Sequence, residues 1–123
     1  MEDLRHQQLE VLGMISGYIE KLVPAMEEVS AELTGEMKED TVDYLNQIVE
    51  AFNFVIEAYN GTRNLINETE KLINDDSLDA QVKEFSAALK VKNYPKIGNL
   101  MQDGIIDFLK VFDVRARELL GGN

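Results

Sequence analysis

Few residue types in this sequence could carry out chemistry, and the single histidine is the first of them. His6 is the only histidine among 123 residues, and cysteine is absent. Asp3 and His6 have the i, i+3 spacing that one helix contributes to a di-iron bundle, but such a site needs a second histidine and further carboxylates. The serines have no other histidine to activate them as nucleophiles. We therefore interpret His6 as a surface residue and expect no catalytic residue, no cofactor and no metal site.

A second candidate is a calcium-binding loop near the middle of the chain. Asp75, Ser77 and Asp79 have the alternating spacing of the first three ligands of such a loop. However, Ala80 stands where the loop needs a glycine, and Ser86 stands where it needs a bidentate glutamate. We interpret these residues as part of a turn and a helix cap. The glycine-rich patterns of nucleotide sites are absent as well.

Composition and length indicate one folded domain over residues 1–123. Hydrophobic residues make up 45% of the chain, which is too many for a disordered protein. The amino terminus lacks the pattern of a secretory signal, and no apolar run reaches the ~18 residues of a membrane span. A cytoplasmic location without a membrane span is therefore expected.

Charge is distributed unevenly along the chain. The formal net charge is −11, and residues 1–57, with thirteen acidic and three basic residues, account for −10 of it. Because an acidic surface repels phosphate backbones, nucleic acid is not an expected partner. Two interpretations of the acidic half stay open, namely solubility alone or the attraction of a basic partner.

Apolar residues recur at helical spacing through most of the sequence. In the first segment, from about Asp3 to Thr34, they are Leu4, Val11, Ile15, Tyr18, Leu22, Met26, Val29 and Leu33. Pro24 removes one helical hydrogen bond, yet the spacing keeps its phase, so we predict a kink or a short break there. A second segment begins near Asp40 or Thr41. The sequence leaves open whether it is one helix over 41–74 or two helices broken near Gly61.

Two further helical segments follow, and no alternating pattern indicates a β-strand. The third segment is predicted from about Ser77 to Lys92. The fourth opens at Asn93-Tyr94-Pro95, where the proline suits the first helical turn. The sequence thus predicts an all-α fold, an antiparallel helical bundle of about four to five helices without a β-sheet. The predicted core comprises Ile15, Leu22, Leu45, Phe52, Ile56, Phe85, Ile105, Phe108 and Phe112.

The second segment carries an additional apolar face, formed by Ala51, Phe54, Ala58 and Leu65. Apolar residues on two faces indicate a helix covered on both sides. We favour the interpretation that this is the central helix of the bundle, and the alternative is that the face contacts a partner.

No family signature is recognised, so function rests on this face and on the acidic first half. They favour a non-enzymatic protein-interaction module, an adaptor or chaperone-like bundle that binds a partner protein or helical peptide through Ala51, Phe54, Ala58 and Leu65. The alternative is a structural homodimer that uses the same face. A small-ligand carrier or an enzyme is the least favoured hypothesis. It would require a cavity in which Tyr18, Tyr44 or Tyr59 lies beside a buried carboxylate.

Overall fold

The computed structural model describes residues 2–121, and within this range the chain is an all-α bundle without a β-strand. This confirms the predicted fold class. The helices are α1 (Glu2–Thr34), α2 (Thr41–Ile66), α3 (Asp75–Lys90), α4 (Tyr94–Leu100) and α5 (Ile106–Gly121), with a π-helical turn (Met101–Ile105) that joins α4 to α5. The side chain of Asp3, paired with His6 above, lies outside the described part of the structure. The sequence predicts that Gly121 and Gly122 end the last helical segment, and Gly122 also lies outside the described residues.

The 33-residue helix α1 is the central element, because it packs against α2, α4 and α5. The interpretation of the second segment as the central helix is therefore wrong. Pro24 lies inside α1 without a break. The missing hydrogen bond is tolerated because Pro24 is exposed, whereas Leu22 and Met26 on either side of it are buried in the same core.

Helices α1 and α2 form an antiparallel hairpin over most of their length. Residue numbers rise along α1 as their partners fall along α2, in the pairs Arg5–Glu68 (3.4 Å), Gln8–Asn64 (2.8 Å), Tyr18–Phe54 (5.2 Å between ring centroids) and Glu32–Thr41 (2.7 Å). This register determines which side chains of the two helices share one groove.

Helix α2 continues through Gly61 and ends at Ile66, so both a break at Gly61 and a helix to residue 74 are wrong. Asn67 accounts for this end. Its side-chain amide donates to the Arg63 carbonyl oxygen (3.2 Å), and its Oδ1 accepts the Ile73 backbone N–H (3.0 Å). The side chain thus replaces helical partners and turns the chain. Ile73, which follows this turn, is nevertheless buried.

Asparagine side chains cap the next two helices. Asn74 Oδ1 accepts the Ser77 N–H (3.0 Å), so α3 begins at Asp75, two residues before the predicted start. Asn93 Oδ1 similarly accepts the Lys96 N–H (3.4 Å) at the start of α4. The polar loop was recognised in the sequence, but the capping residue is Asn74 and not one of the three calcium-loop candidates.

The core is continuous and rich in aromatic residues. Phe108 and Phe112 of α5 pack edge-to-face on Tyr59 of α2, with ring centroids 5.3 Å and 5.4 Å away, and Phe52 packs on Phe85 at 5.6 Å. Eight of the nine predicted core residues are buried, whereas Ile56 is half-buried. In α1 the buried residues include Leu12 and Ile19, which the predicted stripe missed, while Leu4 and Tyr18 of that stripe are exposed.

One glycine allows α4 to lie directly on α1. A Cβ atom at Gly98 would be 2.7 Å from Thr34 Cγ2 and 2.9 Å from the Ser30 carbonyl oxygen. Both distances are shorter than a normal carbon contact, so a side chain at this position would push the two helices apart.

Candidate functional site

The four predicted contact residues of α2 are not equally accessible. Ala58 and Leu65 are buried within the chain, Ala51 is half-buried, and Phe54 is 40% exposed. Because all four lie within about 60° of one another around the helix, rotation does not explain the difference. The face is covered in its C-terminal half and open in its N-terminal half, so a contact surface could use only Ala51 and Phe54.

Phe54 is part of an aromatic pair on the surface of the hairpin. Its ring meets that of Tyr18 edge-to-face, with 5.2 Å between centroids and 72° between planes. Tyr18 is 39% exposed, although the sequence placed it among the buried residues of α1. Met14, one helical turn earlier in α1, is 63% exposed. Three large apolar side chains are therefore exposed to water near the middle of the hairpin.

A groove of about 250 Å³ extends from this pair between α1 and α2. We call it the hairpin groove, and it is lined by Tyr18, Lys21, Leu22, Ala25, Tyr44, Gln47, Ile48 and Ala51. The residues recur every three or four positions on each helix, as expected where two antiparallel helices present adjacent faces. Lys21 is the only charged residue in this lining.

The groove changes character at its other end, towards the α1–α2 connection. Here a second depression of about 340 Å³ shares Tyr44 and Gln47 with the hairpin groove. We call its charged border the acidic rim. It is formed by Glu28, Glu32, Asp40 and Asp43, together with the single base Lys38.

Within the described residues, one carboxylate of the acidic rim is bound by other side chains of the chain, and the other three carboxylates are accessible. Glu32 Oε1 accepts the Thr41 hydroxyl (2.7 Å), and its Oε2 lies 3.8 Å from Lys38 Nζ. Glu28, Asp40 and Asp43 are exposed and have no salt-bridge partner in that part of the chain. The field of the rim also reaches Tyr44. Its pKa is raised, first by burial and then by the charges of Glu28 and Glu32.

Tyr59 supplies the inward-facing tyrosine that an enzyme or small-ligand site would require. Its side chain is fully buried, and its hydroxyl donates to Asp75 Oδ1 (2.7 Å). Burial and the Asp75 hydrogen bond raise the Tyr59 pKa to about 12. The hydroxyl is therefore protonated at neutral pH, and it already donates its proton in the hydrogen bond to Asp75.

The neighbours of this tyrosine complete a network that fixes the connection between α2 and α3. Arg63 lies 3.4 Å from Asp75 Oδ2 and stacks over the Tyr59 ring at 5.2 Å, while the Asn67 amide donates to the Tyr59 hydroxyl (3.1 Å). Arg115 of α5 donates to the Ile66 carbonyl oxygen (3.2 Å). Because each of these polar groups has a partner, the cluster holds the connection between α2 and α3 in place.

The remaining sequence candidates are His6 in α1 and the calcium-loop candidates Asp75, Ser77 and Asp79, which lie at the start of α3. His6 is exposed and lies 3.0 Å from Glu10, its neighbour one helical turn away. Among the side chains that the structure describes, no three of the types His, Cys, Asp and Glu come together as a metal site would require. Over the same range, none of the helices combines the length and apolarity needed to cross a membrane.

Comparisons with known proteins add a family assignment. Neither the curated proteins nor the solved structures contain a match to this chain. One family model matches residues 10–113, a stretch that includes every residue of the hairpin groove and of the acidic rim. On that match, the chain belongs to the family described as Domain of unknown function (DUF8042).

Proposed function

We propose that this protein is a protein-interaction module that acts by binding, not by catalysis, and that its hairpin groove holds a helical segment of a partner protein. The observation that carries this proposal is the exposed edge-to-face pair of Tyr18 and Phe54 at one end of the groove. Aromatic side chains of this kind contribute much of the binding energy at protein interfaces.

The dimensions of the groove favour a helix as its occupant. The distance along α1 from Tyr18 to Glu32 is about 20 Å, the length of a helix of about 14 residues. Amphipathic helices bind such grooves through apolar residues at i, i+3, i+4 and i+7. The lining residues of α1 and α2 offer apolar contacts at the same intervals.

Charge favours a different protein over a second copy of this chain. Residues 1–57, which include all of α1 and the groove side of α2, carry a net charge of −10. Two such surfaces repel each other when they approach, so this face is poorly suited to a homodimer. A partner with a neutral or basic segment meets no such barrier.

The test is a selection of helix-forming peptides of about 16 residues from a displayed library, with the full chain as target. The affinity of the selected peptides is then measured by fluorescence anisotropy for the unmodified chain and for Phe54→Asp. We expect a loss of at least about tenfold, because the aspartate places a charge against the apolar side chains of the peptide.

Val114→Asp is the matched control. Val114 is also exposed, at 58%, but it lies on α5 outside the groove, so the peptides should bind this variant with unchanged affinity. The proposal fails if the library yields no binder or if the binders tolerate Phe54→Asp. It also fails if light scattering shows a dimer that Phe54→Asp dissociates, because the face then binds a second copy.

A further inference from the structure

The hairpin groove has two chemically different ends, and this asymmetry constrains the charge pattern of its occupant. Resting on the proposed function, we infer that the bound helix carries Lys or Arg residues at the end that lies against the acidic rim, and aliphatic residues at the end that contacts Tyr18 and Phe54. The partner class is thus an amphipathic helix that is basic at one end.

The first support is the continuity of the two surfaces. Tyr44 and Gln47 line both the apolar groove and the acidic depression, so a single helix that fills the groove must pass over both. The apolar end of the groove is marked by the Tyr18–Phe54 pair, near the middle of the α1–α2 hairpin, and the acidic end by the Glu32–Thr41 hydrogen bond beside the α1–α2 connection.

The second support is the imbalance of charge at the rim. Four carboxylates face one ammonium group there, and Lys38 already lies beside Glu32. Three of the carboxylates, on Glu28, Asp40 and Asp43, have no salt-bridge partner in the described part of the chain. Their negative charges would be compensated by basic side chains of a bound helix, whereas acidic side chains would be repelled.

The third support is the opposite sign at the other end. Lys21 is the only charged side chain that lines the apolar part of the groove. A bound helix that placed its basic residues there would meet this ammonium group and would leave the rim uncompensated. The groove therefore distinguishes the two ends of its ligand, and charge determines which end lies over Tyr44.

The experiment compares two charge-reversed variants against the peptides selected on the unmodified chain. Glu28→Lys combined with Asp43→Lys reverses the rim at exposed positions without touching the aromatic pair. Loss of one exposed ion pair weakens affinity by up to about fivefold, and the two introduced lysines also repel the basic residues of the peptide, so the double reversal should weaken binding by about tenfold. A new selection on this double variant should yield helices with Asp or Glu at the corresponding end.

The control variant combines Asp76→Lys with Glu84→Lys. It changes the net charge by the same amount on α3, outside the groove, and Asp76, like Asp43, lies in the first turn of its helix. Peptide binding should change by less than about twofold, because a Debye length of about 10 Å at 0.1 M salt limits its influence. Affinity for the unmodified chain should also fall as salt is raised.

The outcomes separate this inference from the function on which it rests. If the peptides depend on Phe54 but bind the rim variant with unchanged affinity, the groove is a docking site and the inference about basic residues is wrong. If the two double variants weaken binding equally, the effect belongs to the net charge and the rim has no local role, which also overturns the inference. If no peptide depends on Phe54, the proposed function itself fails.

Discussion

Two aromatic pairs on α2 have almost the same geometry and opposite surroundings. Tyr59 and Phe112 meet edge-to-face with 5.4 Å between ring centroids, and Tyr18 and Phe54 do so at 5.2 Å. Both rings of the first pair are fully buried, whereas the rings of the second are 39% and 40% exposed. The contact between two rings is therefore the same at both places, and only the cover differs.

The difference separates stabilisation from recognition along a single helix. Around Tyr59, α5 contributes Phe108 and Phe112 and closes the surface, so the rings lose their contact with water on folding. Around Phe54 the corresponding cover is absent within the described residues, and apolar area stays available. Removal of a ring from the buried Tyr59–Phe112 pair should therefore lower the stability of the fold. Removal of a ring from the exposed Tyr18–Phe54 pair should weaken the binding of a partner.

The largest expected effect comes from truncating one ring of each pair. Phe112→Ala should lower the free energy of unfolding by about 3–5 kcal/mol, because it removes a buried ring and leaves a cavity. Phe54→Ala should lower it by less than about 1 kcal/mol, since its ring is already partly in water. Urea unfolding followed by circular dichroism measures both. Equal losses of stability for the two variants would show that Phe54 belongs to the core. The contrast between the buried and the exposed aromatic pair would then be wrong.

A glycine pair gives the next largest contrast, between a closed and an open helix surface. Gly98→Ala should destabilise the chain by about 1–3 kcal/mol, because the new methyl group would overlap with α1 atoms at Thr34 and Ser30. Gly61→Ala in α2 has nothing within 4 Å of its new Cβ and should stabilise the chain by about 0.5–1 kcal/mol. Thermal unfolding of the two variants should therefore shift in opposite directions. Stabilisation by Gly98→Ala would contradict the close α1–α4 contact, and destabilisation by Gly61→Ala would contradict the open surface at that position.

The smallest effect concerns pH and sharpens the description of the buried pair. The pKa of Tyr59 is raised to about 12, so the folded state prefers the neutral hydroxyl. The stabilisation of the folded state that results from this preference is fully present below pH 10, the pKa of tyrosine in the unfolded chain. It is lost as the pH rises towards about 12. Tyr59→Phe lacks the hydroxyl and should be about 1 kcal/mol less stable at neutral pH, since the hydrogen bond to Asp75 is lost.

The comparison of the two proteins across pH isolates the Tyr59 hydroxyl, because every other side chain is the same in both of them. The stability of the unmodified chain relative to Tyr59→Phe should fall as the pH rises from 10 to 12, when denaturant midpoints are measured at each pH. A difference that stays constant over this range would contradict the raised pKa.

The elements of the fold could be predicted from the sequence because helical periodicity is strong and local. Helix α1 was placed almost to the residue, and the buried positions of Phe52, Phe85 and Phe112 followed from their spacing. The end of α2 could not be predicted in the same way. It depends on Asn67, whose side chain bonds to Tyr59 and Ile73 only once the turn has formed.

The candidate site was predictable in part, and the limit lies in long-range cover. Phe54 was recognised as an apolar residue on a second face of its helix, but so were Ala58 and Leu65, which are buried. Tyr18 has helical phase with the core of α1 and was assigned to it for that reason. Spacing predicts the direction in which a side chain points from its own helix, whereas its exposure depends on whether another helix packs against that side. The acidic half of the chain was evident, but its concentration beside the groove required the antiparallel register.

The π-helical turn between α4 and α5 affects where this fold can tolerate the insertion or deletion of a residue. The Ile106 N–H bonds to the Met101 carbonyl oxygen, five residues earlier, so this turn holds one residue more than an α-turn. Deletion of one residue here would convert the turn to an ordinary α-turn and keep Ile97 and Phe108 in phase. The same deletion within α5 would rotate everything beyond it by about 100° and carry Phe112 away from the core. Insertions and deletions among homologous sequences should therefore concentrate at this junction, where the helix already contains one additional residue.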